Sequence, residues 1–301
     1  MQDHIVLRCS RGEARMLAKP KSFNGIGLVQ VLLAAVFVIW LLFFPNRGVN
    51  FAWPIAPPLS AMFIGTSFIA RLYLGFHLWR EKYWWRLRWQ VWGNLGFLIV
   101  IFVTTFWHAN EINWTVSLIV AHIWVVAYAV EPLLLIALEP RGAAAAAALP
   151  PALREGPLLL GLKRVMMVVY IFLFTLAGVF FLNPAFATTR WPWELTAFDA
   201  RIMSAFMILA ALWALRVTYF EDWAEAKLAV RGLIIYGTSI FVVWIVTVSQ
   251  YRSTNREGYG IFVGISTAVT LYYYWRQEKA RAQFLPPEEM DADAPASQLP
   301  L

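Results

Sequence analysis

Eight apolar segments recur along the chain, at about 26–45, 58–79, 91–108, 115–138, 164–182, 201–219, 232–250 and 259–275, each bounded by charges, Pro or Gly. A bilayer core about 30 Å thick needs roughly 20 such residues at 1.5 Å rise each, and a helix satisfies its own backbone where no water can. The spacing therefore predicts an all-α, polytopic membrane protein of about eight transmembrane helices. The low charge agrees: 14% of the 301 residues are charged, against about 25% in water-soluble domains.

Orientation follows from where the basic residues fall. One set of connections carries Arg8, Arg11, Arg15, Lys19 and Lys21; Arg80, Lys82, Arg86 and Arg88; Arg141, Arg154, Lys163 and Arg164; Arg216, Lys227 and Arg231; and Arg276, Lys279 and Arg281. The alternate set carries only Arg47, Arg190, Arg252 and Arg256. Lys and Arg concentrate on the cytoplasmic side, so both termini are expected in the cytoplasm and the chain in the inner (plasma) membrane. This topology also accounts for the net charge of +7. The basic residues lie between apolar segments and form no patch for a nucleic acid.

Residues 1–24 form a basic cytoplasmic segment, and the apolar stretch after them has no small-residue cleavage site, which predicts a retained signal anchor. Cys9 is the single cysteine, reads as an ordinary cytoplasmic thiol and has no partner for an intramolecular disulfide. A first four-helix membrane unit is expected over 25–138, a cytoplasmic Ala/Pro-rich linker over 139–162, a second four-helix unit over 163–276 and a cytoplasmic tail over 277–301. The linker contains Ala143 to Ala148 between helix breakers, and the tail beyond about 283 has the Pro, Ala, Asp and Glu of a disordered segment.

The two membrane units resemble each other. Phe44-Pro45 is matched by Asn183-Pro184, Trp53-Pro54 by Trp191-Pro192, Met62 by Met203, Trp79-Arg80-Glu81 by Phe220-Glu221-Asp222, and Gly93 by Gly237. With an even number of spans in each, the two copies are expected to be parallel repeats. The segments that begin at Trp53-Pro54 and run from Trp191-Pro192 through Leu195-Thr196 to Asp199-Ala200-Arg201 resemble an outer-loop element of uncharacterised bacterial multi-pass membrane proteins. The first copy lacks the Arg. The resemblance implies membership of that class and carries no activity.

Several polar groups stand out against this background. Arg71 and Glu131 lie at similar depth in spans 2 and 4, where ionised groups are costly and tend to pair. An Arg71–Glu131 ion pair is therefore expected, with Pro132 freeing a backbone acceptor nearby. A snorkelling Arg71, a protonated Glu131 or a purely structural pair are the plainer alternatives. His108 and His122 near the outer ends of spans 3 and 4, with Glu111 between them, are candidates to ligate haem iron or a divalent metal. No His-x-x-x-His or Cys motif accompanies them, and interfacial hydrogen bonding is the favoured reading. Asp199 is placed to cap the helix that Arg201 opens. Gly260 and Gly264 form a Gly-x-x-x-Gly suited to close helix contact.

No nucleotide-binding loop or nucleophile elbow is present in the sequence, so catalysis is not expected. The leading functional reading is a carrier or channel for a small solute or ion. The alternative is a non-catalytic subunit or scaffold of a larger membrane complex, with other membrane subunits or a second copy as partners beside the lipid bilayer. A haem or metal protein is the third reading.

Overall fold

The computed structural model describes residues 19–138, 153–251 and 256–283. The expectations for Cys9, the alanine run and the tail beyond 283 lie outside the described residues. The helices are α1 Ser22–Phe43, α2 Pro58–Arg80, α3 Trp84–Trp107, α4 Leu118–Leu138, α5 Leu160–Leu182, α6 Pro184–Arg190, α7 Ala197–Tyr219, α8 Trp223–Thr247 and α9 Arg256–Arg281.

Seven of these, α1 to α5 with α7 and α8, are long and apolar enough to cross a bilayer. The protein is an integral, multi-pass membrane protein. α9 is long enough, at 26 residues, but Ser266, Thr267, Thr270 and Tyr272-Tyr273-Tyr274 dilute its apolar content. Helices start earlier than the apolar windows, most clearly α8, which begins at Trp223 and not at 232. The backbone ladder continues through charged and aromatic residues that a hydropathy window ends on, because these side chains are at home in the headgroup layer.

α2 and α7 form the centre, with 72% and 67% of their apolar windows buried, against 28% for α1 and α4 and 17% for α5. The outer helices expose Val29, Leu32, Val36, Ile119, Val168 and Ile171, a pattern that lipid tolerates and water does not. α1 packs on α2 and α5 on α7, while α3 crosses to α7 and α8 crosses to α2.

Glycine makes these contacts close. A Cβ on Gly27 would strike the backbone at Gly75, Leu78 and Trp79, and one on Gly93 or Gly232 would strike Trp213, which is wedged between α3 and α8. The pair Gly260 and Gly264 receives the rings of Trp244 and Phe241 of α8, the close approach that small residues permit in lipid.

Element boundaries recur at one spacing. Phe43 and Leu182, Pro58 and Ala197, Arg80 and Tyr219, and Trp84 and Trp223 each lie 139 residues apart. On this spacing Gly93 falls opposite Gly232, not Gly237. Backbone pairing follows it too. Lys19 N–H donates to the Lys82 carbonyl at 2.9 Å, and Leu158 N–H to the Glu221 carbonyl at 3.1 Å. These bonds strap the start of α1 to the α2–α3 junction and the start of α5 to the α7–α8 junction, defining one face of the bundle, here termed the basic face. α9 ends on that face, where Arg281 Nε meets Glu155 at 2.8 Å.

Candidate functional site

Four polar side chains converge inside the first half. Arg71 of α2 donates through Nη2 to both Glu131 oxygens of α4, at 2.9 and 2.8 Å, and through Nη1 to Asn94 Oδ1 of α3. Asn94 Nδ2 and Gln30 Nε2 of α1 both donate to Glu131 Oε1, the former at 3.2 Å. Phe97 covers the guanidinium with its ring centroid 5.0 Å away. The cluster sits nine residues from the end of α2, about 13 Å below the basic face at 1.5 Å per residue. Pro132 lies inside α4 without ending it.

Charge-assisted bonds of this kind roughly double the strength of neutral ones, and at this depth they are the condition for burying either ion. The acceptor capacity is not exhausted. Glu131 Oε1 receives three donors and Oε2 one, and the buried Gln30 Oε1 has no partner.

These residues form the polar end of a cleft of about 350 Å³ between α1 and α4. Its walls are otherwise apolar, with Val29, Leu33, Phe37, Val126, Val130 and Leu134 among them. Val29, Val126, Val130 and Leu134 are also exposed on the outer surface of the bundle, so the cleft opens sideways toward lipid.

A second cleft of about 510 Å³ lies among α5, α6, α8 and α9, lined by Phe172, Leu173, Leu176, Met207, Tyr236 and Phe262. Phe172, Leu173, Leu176 and Met207 stand 139 residues after Leu33, Ala34, Phe37 and Phe68 of the first cleft. Arg190 is the one charged residue in its lining. At the positions 139 residues after Gln30, Arg71 and Asn94 stand Val169, Ala210 and Leu233.

The opposite face holds a separate arrangement. Trp53 Nε1 donates to Asp199 Oδ1 at 2.9 Å, and Trp193 Nε1 to Ser60 Oγ at 3.2 Å. Ser60 and Asp199 occupy corresponding positions in α2 and α7, so each half sends one indole into the other. Trp53 therefore pairs in role with Trp193, while Trp191 packs edge-on against it as Phe51 packs against Trp53. Pro54 follows Trp53 as Pro192 follows Trp191, in the extended segments that lead into α2 and α7.

Asp199 is not the cap of α7. Thr196 caps it, accepting the Asp199 N–H at 3.0 Å, which leaves the carboxylate free to turn inward. Asp199 Oδ2 is buried without a partner. Arg201 donates to His108 Nε2 at 2.7 Å and to the Phe181 carbonyl at 3.1 Å, and lies over Trp107. Since Arg201 can only donate, His108 Nε2 accepts, and Nδ1–H donates to Glu111 at 2.6 Å. His108 also stacks on Phe198 at 4.8 Å.

His122 lies apart from this group, exposed, with Nδ1–H on the Leu118 carbonyl and its ring against Trp114. Among the described residues no three His, Cys, Asp or Glu side chains converge to hold a metal ion. His108, Glu111 and His122 thus do not form one ligand set, and both ring nitrogens of His108 are already engaged.

Three residues that matter here carried little signal in the sequence: Gln30 and Asn94, as amides in apolar helices, and Ser60, as one small residue at a helix start. Comparison with protein-family models, with curated proteins and with solved structures finds no match.

Proposed function

We propose that the protein is a carrier or channel for a small solute, with its substrate site at the Gln30–Arg71–Asn94–Glu131 cluster. The reading takes the chain as eight spans in two parallel four-helix repeats, α9 being the eighth, in the inner membrane with both termini cytoplasmic. The common 139-residue spacing, the two straps and the reciprocal indole bonds support the repeat. The return of α9 to the basic face supports the eighth span, and the excess of Lys and Arg there supports its cytoplasmic assignment.

One observation carries the functional part. The polar cluster is present in the first half and replaced by Val169, Ala210 and Leu233 in the second, although the backbone of the two halves follows one plan. Stability alone asks for no such cluster, since apolar residues of similar volume commonly hold a helix bundle as well as buried ions do. Buried ionisable groups in a membrane mark solute pathways by default.

The test is reconstitution into liposomes with a panel of small polar and amphipathic solutes and ions. The paired variant Arg71→Met with Glu131→Leu is expected to keep the protein folded and abolish flux. Absence of flux for the whole panel, with a stoichiometric partner co-purifying from native membranes, would replace transport with the subunit reading. Reporter fusions at both termini check the orientation, and an external C-terminus would remove α9 as a span.

A further inference from the structure

We infer that the lateral cleft between α1 and α4 binds a neutral amphiphile from the bilayer, a single apolar chain ending in a hydroxyl. The inference rests on the proposed site at Arg71 and Glu131 and names the class of molecule that reaches it.

Shape argues first. The cleft opens on the lipid-facing flank between Val29 and Val130 and narrows inward to Gln30, Arg71 and Glu131. A solute arriving from water would have no use for a wall of valine, leucine and phenylalanine, whereas an acyl-like chain would cover it. At about 350 Å³ the cleft falls in the range of small-molecule pockets.

Charge argues second. Arg71 and Glu131 neutralise each other through two bonds from one nitrogen. A charged headgroup would therefore find no free counter-ion and would lose its hydration without compensation. That disfavours fatty acids and alkylamines.

Hydrogen-bond direction argues third. Both Asn94 polar atoms are used within the cluster, and Arg71 spends Nη1 on Asn94 and Nη2 on Glu131. What faces the cleft unused is acceptor capacity, on the orphaned Gln30 Oε1 and on Glu131 Oε2. The Gln30 amide cannot be turned around to offer its nitrogen instead, because Nε2 is held by Glu131. A ligand must donate, and a buried unmet acceptor gains most from a donor that arrives without charge. A hydroxyl on an apolar chain meets all three conditions.

The second cleft supplies an internal control. It is larger and apolar, and in place of Gln30, Arg71 and Asn94 it carries Val169, Ala210 and Leu233, so any chain it holds is expected to show no headgroup preference.

The experiment uses the full-length protein in detergent. A photoreactive long-chain alcohol is crosslinked, mapped by mass spectrometry, and competed with the plain alcohol, the matching alkane, fatty acid and alkylamine. Labelling is expected on α1 and α4, with the alcohol competing about tenfold better than the alkane, the equivalent of one hydrogen bond. Gln30→Leu is expected to erase that preference while labelling persists, and Ala127→Trp, which fills the cleft without touching the polar cluster, to abolish labelling there. Equal competition by the alkane, stronger competition by the acid or amine, or labelling of α1 and α4 that survives Ala127→Trp would overturn the inference. A thermal unfolding curve for each variant confirms that the cleft was tested in a folded protein. Failure of transport with intact alcohol binding removes the carrier and leaves the site. Flux of a water-soluble solute that Ala127→Trp leaves untouched, with no alcohol labelling, removes the site and leaves the carrier.

Discussion

The cleft between α1 and α4 and the cleft beside α5 and α9 occupy corresponding places in the two halves, yet they differ in kind. One ends in four hydrogen-bonded polar side chains from four helices. The other has apolar residues at three of the corresponding positions. The backbone plan is therefore not what requires the ions. Burial of Arg71 and Glu131 is an addition to a scaffold that the second half shows to be complete without it, and such additions carry function more often than stability.

The largest expected effect comes from breaking the addition halfway. Arg71→Ala or Glu131→Ala strands a buried charge, and each should cost about 3–5 kcal/mol of unfolding free energy. The double substitution Arg71→Met with Glu131→Leu should cost much less than the two single losses combined. Thermal or denaturant unfolding in detergent measures this, and strict additivity would show that the two side chains are not coupled. The mirror experiment is Ala210→Arg, which places a guanidinium in the second half without a carboxylate partner. It should be at least as damaging as Glu131→Ala, and a neutral outcome would mean that this position is wet.

Next in size is the seam between α8 and α9. Gly260→Leu drives a side chain into the Trp244 ring, and overpacking of this kind costs about 1–3 kcal/mol. Because Gly25 has open space around it, Gly25→Leu should be nearly silent, and hydrogen exchange of α9 should rise only in the first variant.

The reciprocal indole bonds give a smaller and asymmetric pair. Trp53→Phe removes the one side-chain donor to the buried Asp199 carboxylate and should cost about 1–3 kcal/mol as an unsatisfied buried acceptor. Trp193→Phe removes a bond to a serine hydroxyl that can also donate to the Glu194 carbonyl at 3.5 Å. It should cost about 0.5–1.5 kcal/mol. Equal effects would mean that Asp199 is protonated and finds another partner.

Much of the scaffold could be read from the chain because lipid imposes one simple demand, a helix of about 20 apolar residues. Arg71 and Glu131 stood out for the same reason, as ions where ions are costly, and they lie 2.8 Å apart. Gln30 did not, since an amide interrupts no apolar window and its role depends on which helix faces it. The meeting of His108 with Arg201 joins residues 93 positions apart through the crossing of α3 onto α7, which periodicity within one helix cannot report. Trp53 reads as an interfacial anchor by residue type, yet it is 1% exposed. Only the fold decides which tryptophan of a belt is covered.

The two straps on the basic face separate the halves once more. The first relies on one backbone bond and on Lys19, whose ammonium reaches the Leu78 and Trp79 carbonyls. Burial pushes the Lys19 pKa down to about 8, with Glu81 opposing the shift. The second relies on ions, with Lys227 between Glu155 and Glu278 at 3.2 and 3.1 Å and Arg281 on Glu155. Salt screens such partly exposed pairs, so hydrogen exchange at 156–160 should rise with ionic strength while that near 19–24 changes little. The pH response runs the other way. When the strap is released Lys19 regains a pKa near 10.5, so between about 8 and 10.5 the released state holds a proton that the docked state has lost, and docking strengthens as pH rises. Exchange near 19–24, corrected for the intrinsic rate, should therefore slow over that window, and Lys19→Met should remove the response. A slowing that persists in Lys19→Met would place the titrating group elsewhere, and one of equal size at 156–160 would show that the two straps release as one unit.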